Sequence, residues 1–411
     1  MNAPAPLAAK LWNKDFALWW LGCAQSALGS ALAGIALSFL VLKQTGSAGA
    51  MGVNLALSML PALLSPLAGT LVDRLPLRLP LILGNVLRAA LQIGVGVAAL
   101  RASVPVEVLH LLALLTGLIG VLYGPASMSV LPNLVPKGEI ARASGLMGTT
   151  GELASLVGLV GGGALVSRFG SAPSLIFDGA TFLAMAALLG FVRLPVRAAS
   201  SGGASFWADF LGGARYVRSS LLLTLLPVIA LFINAALAPM EMLLPKRMLE
   251  LGAGAGGFGL FFGLLTGGAA LGSLGMAGLG PRVKPGPASA FGLLGEGGAL
   301  LLMSLTSQTW QLWTLALVSG LALAVTNVSL GVLFQTVVLP QYRGRVGSLL
   351  GMVGTVGMPL TLLLLAPFAD RVSVNAVFGV SGLITVGGGL AWWLAQRANA
   401  AAPAAEVSPQ A

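Results

Sequence analysis

The chain has 411 residues, of which 57% are hydrophobic and only 8% charged, with 22 basic and 12 acidic side chains and a formal net charge of +10. Water-soluble globular chains carry about 25% charged residues, so this composition excludes a soluble enzyme, a disordered chain and a nucleic-acid binder. A single cysteine, Cys23, and a single histidine, His110, exclude an intrachain disulfide and leave no ligand set for a metal, so neither a metal site nor an enzymatic activity is expected.

A membrane-crossing helix needs about 20 mostly apolar residues, and such runs follow one another along the chain. After an N-terminal tail, residues 1–15, the uncharged runs 16–42 and 44–72 predict spans 1 and 2. The first exceeds the apolar core of a signal peptide and is expected to be retained. Spans 3 to 6 fall at 79–101 with Arg88, 108–136, 141–167 with Glu152, and 173–193 with Asp178. The connection 194–219 opens on Ser200-Ser201-Gly202-Gly203. It continues with Phe206, Trp207, Phe210, Leu211, Tyr216 and Val217 beside Arg215 and Arg218, a pattern that predicts an interfacial amphipathic helix. Spans 7 to 9 follow at 220–244 with Glu241, 251–281, and 286–306 with Glu296. The uncharged stretch 297–342 is too long for one crossing. Ser307-Gln308-Thr309 splits it and starts span 10; spans 11 and 12 are 346–369 and 372–396. The Ala/Pro-rich residues 398–411 are expected to be a disordered tail.

With the N-terminus inside, the cytoplasmic segments hold 15 Lys and Arg residues and the outer ones six, namely Lys43, Arg101, Arg168, Lys246, Arg247 and Arg371. The positive-inside rule therefore places both termini in the cytoplasm, and the net charge reads as a topology signal. A constant shift of 204 residues carries Arg78 onto Arg282, Gln92 onto Glu296, Pro136 onto Pro340 and Ser144 onto Ser348. The expectation is an all-α membrane protein of twelve transmembrane helices in two six-helix pseudo-symmetric bundles, 16–193 and 220–397, as parallel repeats of a transporter would give.

The loop between spans 2 and 3 reads Gly69-Thr70-Leu71-Val72-Asp73-Arg74-Leu75-Pro76-Leu77-Arg78. It resembles the Gly-x-x-x-Asp-Arg-x-Gly-Arg-Arg loop of the major facilitator superfamily. Gly69, Asp73, Arg74 and Arg78 match; Pro76 and Leu77 depart from it. The resemblance implies a conformational clasp at the bundle interface. Tyr123-Gly124-Pro125-Ala126, Leu131-Pro132, Phe177-Asp178-Gly179-Ala180-Thr181-Phe182 and Leu339-Pro340 followed by Gly344-Arg345-Val346 resemble the macrolide and multidrug efflux branch. Antiporters of that superfamily often carry Gly-Pro-x-x-Gly-Gly in span 5. Here Gly158-Leu159-Val160-Gly161-Gly162-Gly163 keeps the glycines without the proline.

Intramembrane ionisable residues are costly and mark function. Glu152 lies ten residues past Arg142, about 15 Å into span 5, and shares a face with Gly148 and Ser155. It leads the proton-coupling candidates, followed by Glu241 and Glu296. Glu241 also suits a cation contact or a pair with Lys246 and Arg247, and Glu296 a scaffold hydrogen bond. Arg88 and Asp178 read as buried charge partners. The resemblance implies a substrate cavity between spans 1, 4, 7 and 10. Small or polar stripes there nominate Gln25, Tyr123, Ser127, Asn234, Asn327 and Gln335, with Phe232 and Met240 as adaptable apolar surface.

These features point to a monomeric secondary transporter of the cytoplasmic (inner) membrane. It would export amphipathic or hydrophobic small molecules such as drugs or macrolides by proton antiport with alternating access. Its partners are the substrate and the lipid bilayer, with no nucleic acid. No cofactor is implied beyond the proton gradient, since no Gly-x-x-x-x-Gly-Lys-Ser/Thr loop is present. The alternatives are a facilitator or exporter of a native metabolite, siderophore or lysolipid, and a non-transporting membrane sensor.

Overall fold

The computed structural model describes residues 10–72, 75–194, 215–218 and 221–401. Among them, ten helices are long and apolar enough to cross a membrane. Helix α1 is Lys14–Thr45, α2 Ala48–Met59, α3 Ser65–Val72, α4 Arg78–Arg101, α5 Val106–Met128, α6 Leu131–Leu134, α7 Ile140–Phe169 and α8 Ser171–Phe191. They are followed by α9 Leu221–Glu250, α10 Gly254–Leu279, α11 Pro285–Met303, α12 Thr309–Val337, α13 Arg343–Leu365 and α14 Val374–Ala401.

Two of the twelve expected spans differ from a long apolar helix. The uncharged run 44–72 is interrupted: between α2 and α3 the chain winds as a 3-10 helix, Leu60–Leu64, with Pro61 in its first turn. Proline has no N–H to give to the helical ladder, and Pro66 follows at once. The ninth expected span is present as the 19-residue α11, which lies outside the set of long apolar helices. The amphipathic helix expected within 194–219 lies largely outside the described residues. Its end, residues 215–217, is helical, and Tyr216 stacks on Tyr342 with ring centroids 4.2 Å apart.

The chain divides into two compact units. The first joins residues 1–203 with 241–263 and 362–372; the second holds 204–240, 264–361 and 373–411. The sequence placed the boundary in the 194–219 connection. The units depart from this because the end of α9, the start of α10 and the turn after α13 pack with the N-terminal helices. Glycines make this approach possible. A Cβ on Gly163 of α7 would lie 2.6 Å from the Ala255 carbonyl oxygen of α10, and one on Gly49 of α2 would come closer still to the Ala366 carbonyl oxygen.

In the first unit α1 packs against α7 and α8, α4 against α8 and α5, and α5 against α2. Asn13 caps α1, accepting from the Phe16 N–H at 3.0 Å, and its amide donates to the Leu134 carbonyl at 2.9 Å. That one side chain fixes where α1 begins and ties its start to α6. The core beside it gathers Phe16, Trp19, Leu81, Val130, Leu134, Met185 and Leu189. In the second unit α11 packs against α12 and α14. Ile229, Ala290, Leu293 and Trp392 form its buried centre, and the Trp392 indole N–H donates to Ser289 Oγ at 2.8 Å.

Candidate functional site

The site grows from one acidic residue in an apolar helix. Asp178, in the middle third of α8, is 1% exposed. A buried carboxylate needs donors, and it has them: Ser30 Oγ from α1 at 3.3 Å and Gln92 Nε2 from α4 at 3.0 Å. The Thr181 hydroxyl donates to the Asp178 main-chain carbonyl at 2.7 Å and lies 3.5 Å from the carboxylate. Gly29 lets α1 come this near, since a Cβ there would stand 2.9 Å from Asp178 Oδ1.

Arg88 of α4 is the neighbouring charge, close enough to act on Asp178 electrostatically. Its guanidinium lies over the rings of Tyr123 and Phe182, 5.0 and 5.5 Å from their centroids, in the cation–π arrangement. Space for it is made by Gly120 of α5, where a Cβ would lie 2.8 Å from the Arg88 nitrogen. Arg88 Nε is buried and has no hydrogen-bond partner. The Tyr123 hydroxyl is turned toward Asn85 and Ser127.

These groups border a cavity of about 720 Å³ in the first unit. Ser30, Ala33, Gly34, Leu37 and Ser38 of α1 form one wall. Asn54, Leu55 and Ser58 of α2 form a second, and α5 from Ala113 to Met128 contributes a third. Ala62, Ser65, Arg88, Gln92, Asp178 and Phe182 complete the lining. The volume suits a drug-sized molecule, and mostly apolar walls with a few convergent polar groups are the usual make-up of a small-molecule site.

The structure brings together only some of the residues singled out in the sequence. Arg88 and Asp178 share the cavity, and Tyr123 holds Arg88 in place. Gln25 lies at the α1–α8 contact, its amide donating to the Thr181 carbonyl at 2.8 Å. Glu152 is exposed on α7 and does not line this cavity. Glu296 is buried in the second unit at 2% exposure, with Oε2 unpartnered, and Glu241 is half-buried on α9. Phe232 is 57% exposed, Met240 is buried, and the Asn234 amide donates to its own helix at Ala230. Asn327 and Gln335 lie on exposed positions of α12. Of the loop motif, Asp73 and Arg74 lie outside the described residues, and Gly69 lies within α3. Arg78 donates to the Val192 carbonyl at 2.7 Å. Asn54, Gln92, Ser30 and Phe182 were not anticipated.

A second polar set in the first unit ties three chain segments together. Asp370, in the turn between α13 and α14, accepts from the Ser47 hydroxyl, from the Ala48 N–H at 2.8 Å and from Lys246 Nζ at 3.5 Å. It thereby caps α2 from a distant part of the chain. Partial burial pushes its carboxyl up, but the hydrogen bonds from Ser47 and Ala48 and the Lys246 charge prevail and hold it below the ordinary value of 3.8.

Residues 19–295 match the profile of the Major Facilitator Superfamily. The chain belongs to the Major Facilitator Superfamily. It is similar to Macrolide efflux protein A of Streptococcus pyogenes, 25% identical over 386 residues that cover 91% of this chain and 94% of the relative. It is also similar to Multidrug efflux pump Tap of Mycobacterium tuberculosis, 27% identical over 365 residues, 86% of either chain. Among solved structures, the nucleoside transporter NupG matches with a TM-score of 0.73 at 15% identity, over 94% of this chain and all of that one. A bacterial homologue of the lysosomal transporter Spinster matches with a TM-score of 0.70 at 15% identity, over 93% and 96%. These two likenesses establish the fold. As a member of this superfamily with efflux pumps among its relatives, the chain is a multi-pass membrane transporter and not an enzyme.

Proposed function

We propose that this transporter exports amphipathic or hydrophobic small molecules in exchange for protons, by alternating access of two six-helix halves. Counting α2–α3 and α11 as crossings gives twelve, with both termini in the cytoplasm and the protein acting as a monomer in the inner membrane. The proton gradient is the only driving force required. The observation that carries the reading is the 720 Å³ cavity, apolar over most of its wall, with one buried carboxylate and one guanidinium on its lining. Likeness to efflux pumps along nearly the whole chain supports the direction of transport.

Within this reading Asp178 takes the coupling role that the sequence suggested for Glu152. A carboxylate on the cavity wall can hold a proton or face a substrate, and either state excludes the other. Arg88 from α4 is the charged group that acts on Asp178, and Tyr123 from α5 lies beside Arg88. Glu152, Glu241 and Glu296 do not line the cavity.

The test is uptake of a fluorescent lipophilic cation of fixed charge, which cannot be trapped by protonation, into proteoliposomes under an imposed pH difference. Acid inside the vesicle should drive accumulation against the cation gradient. The Asp178→Asn protein should only equilibrate the cation, while Glu152→Gln should still accumulate it. Equilibration by the native protein, whatever the pH difference, would identify a facilitator instead.

A further inference from the structure

We propose that the protein binds an acidic phospholipid in a second cavity, where α1, α4, α7 and α9 finish, and that Lys43 and Arg101 hold the phosphate of its headgroup. This cavity measures about 910 Å³, and all of its lining belongs to the first unit. Lys43 stands in the last turn of α1 and Arg101 in the last turn of α4. Both line the cavity, and both are exposed rather than packed away.

The positive charge here is uncompensated. None of the described lining residues is acidic. Neither Lys43 nor Arg101 makes an ion pair or a hydrogen bond among the described residues. The nearby acids Asp370 and Glu250 have bases of their own, Lys246 at 3.5 Å and Arg247 at 3.3 Å, and Glu107 does not border the cavity. Arg168, in the last turn of α7 and next to the lining residue Ser167, adds a third positive charge. The helix C-termini at which these bases stand offset each charge by about half at most.

The walls decide which anion fits. Phe39, Leu100, Val166 and Leu249 supply apolar surface, and Leu100 and Leu249 are 60% and 51% exposed. Phe39 lies four residues before Lys43 on α1, about 6 Å along its axis. Cations where apolar helices end, with apolar surface one turn away, match a phosphate diester that carries acyl chains, since headgroups lie at that level of a bilayer. The hydroxyls of Ser103 and Ser167 on the same lining suit the polar remainder of the headgroup. A free phosphate would use the cations and leave the apolar wall in water. This site needs only that the chain spans a membrane, so it is independent of the export reading.

The experiment is native mass spectrometry of the full-length protein in a neutral detergent. It is titrated with phosphatidylglycerol or with phosphatidylcholine of the same acyl chains, whose choline cancels the phosphate charge. The native protein should hold one phosphatidylglycerol about tenfold or more tightly than phosphatidylcholine, as two basic contacts imply. Lys43→Gln with Arg101→Gln should bring the ratio close to one, whereas Lys43→Arg with Arg101→Lys should keep it. Arg282→Gln with Lys284→Gln, exposed positions at the start of α11 in the second unit, should leave it unchanged. Equal binding of the two lipids by the native protein would overturn the proposal, with no variant needed. A preference that survives the Lys43 and Arg101 glutamines, or falls as far in the Arg282 and Lys284 variant, would overturn it too. Displacement of the bound lipid by millimolar glycerol phosphate would show a site for a soluble phosphate and refute the lipid as its occupant.

Discussion

Replacing Asp370 by Asn should loosen the tie between the turn after α13 and the start of α2. The native carboxylate accepts from Ser47 Oγ and the Ala48 N–H and lies 3.5 Å from Lys246 Nζ. Hydrogen bonds to a charged group contribute about 1.5–3 kcal/mol when well sheltered. Asp370 is 41% exposed, so solvent screening trims this to roughly 1–2 kcal/mol for the set, a factor of about 5 to 30 in the opening equilibrium. The assay is amide hydrogen exchange over residues 46–60 at pH 7. Protection of Ala48 should fall by that factor in Asp370→Asn, while amides in α11, in the second unit, stay unchanged. The native carboxyl is held below its ordinary value of 3.8. The tie is therefore complete at pH 7, and its contribution is lost as pH falls below roughly 4, the ordinary aspartate range. Exchange corrected for its intrinsic rate should show native protection fading only in that acid range, with no such step in the variant. Equal protection of Ala48 in both proteins at pH 7 would refute the assignment of Asp370 as a trans cap.

Three further outcomes follow from contacts already described. Gly29→Ala should lower the melting temperature, because the new Cβ would meet Asp178 Oδ1 at 2.9 Å, and overpacking of this kind costs about 1–3 kcal/mol; a melt in nanodiscs reads it. Gly120→Ala removes the space beside Arg88 but improves helix propensity by up to about 1 kcal/mol, so uptake of the cation probe into proteoliposomes should change with little loss of stability. Trp392→Phe removes the 2.8 Å bond to Ser289 and should cost about 1 kcal/mol, seen in the melt with transport retained.

The alternation of apolar runs with basic connections made most of the spans legible, because lipid leaves the backbone few choices. The break in the second span was not legible from hydropathy, since Leu60–Leu64 is as apolar as its flanks; Pro61 and Pro66 were the available signal. Arg88 and Asp178 stood out because a charge inside an apolar run is rare. Their surroundings did not, because an uncharged polar residue in such a run gives no depth or direction. In span 1 the stripe through Gln25 and Gly29 was as plausible as the face of Ser30 and Gly34, yet Gly29 and Gln25 meet α8 while the other face lines the cavity. Asn54, Ser58 and Ser65 recur at spacings of four and seven, a helical stripe that could have named the α2 wall. The division into units was hidden as well, since contacts such as Gly163 with Ala255 join residues far apart in sequence.

The groups that tie segments together and the groups that line the cavity occupy different parts of their helices. Ser47 and Asp370 sit in turns and Lys246 lies near the end of α9, where side chains change with little effect on neighbouring packing. Asn54, Gln92 and Asp178 sit inside α2, α4 and α8. Natural variation can therefore retune what the cavity accepts without resetting the tie, or adjust the tie without altering selectivity. Two largely independent sets of positions are thus open to selection, which gives a transporter of this design a short mutational route to a new spectrum of compounds.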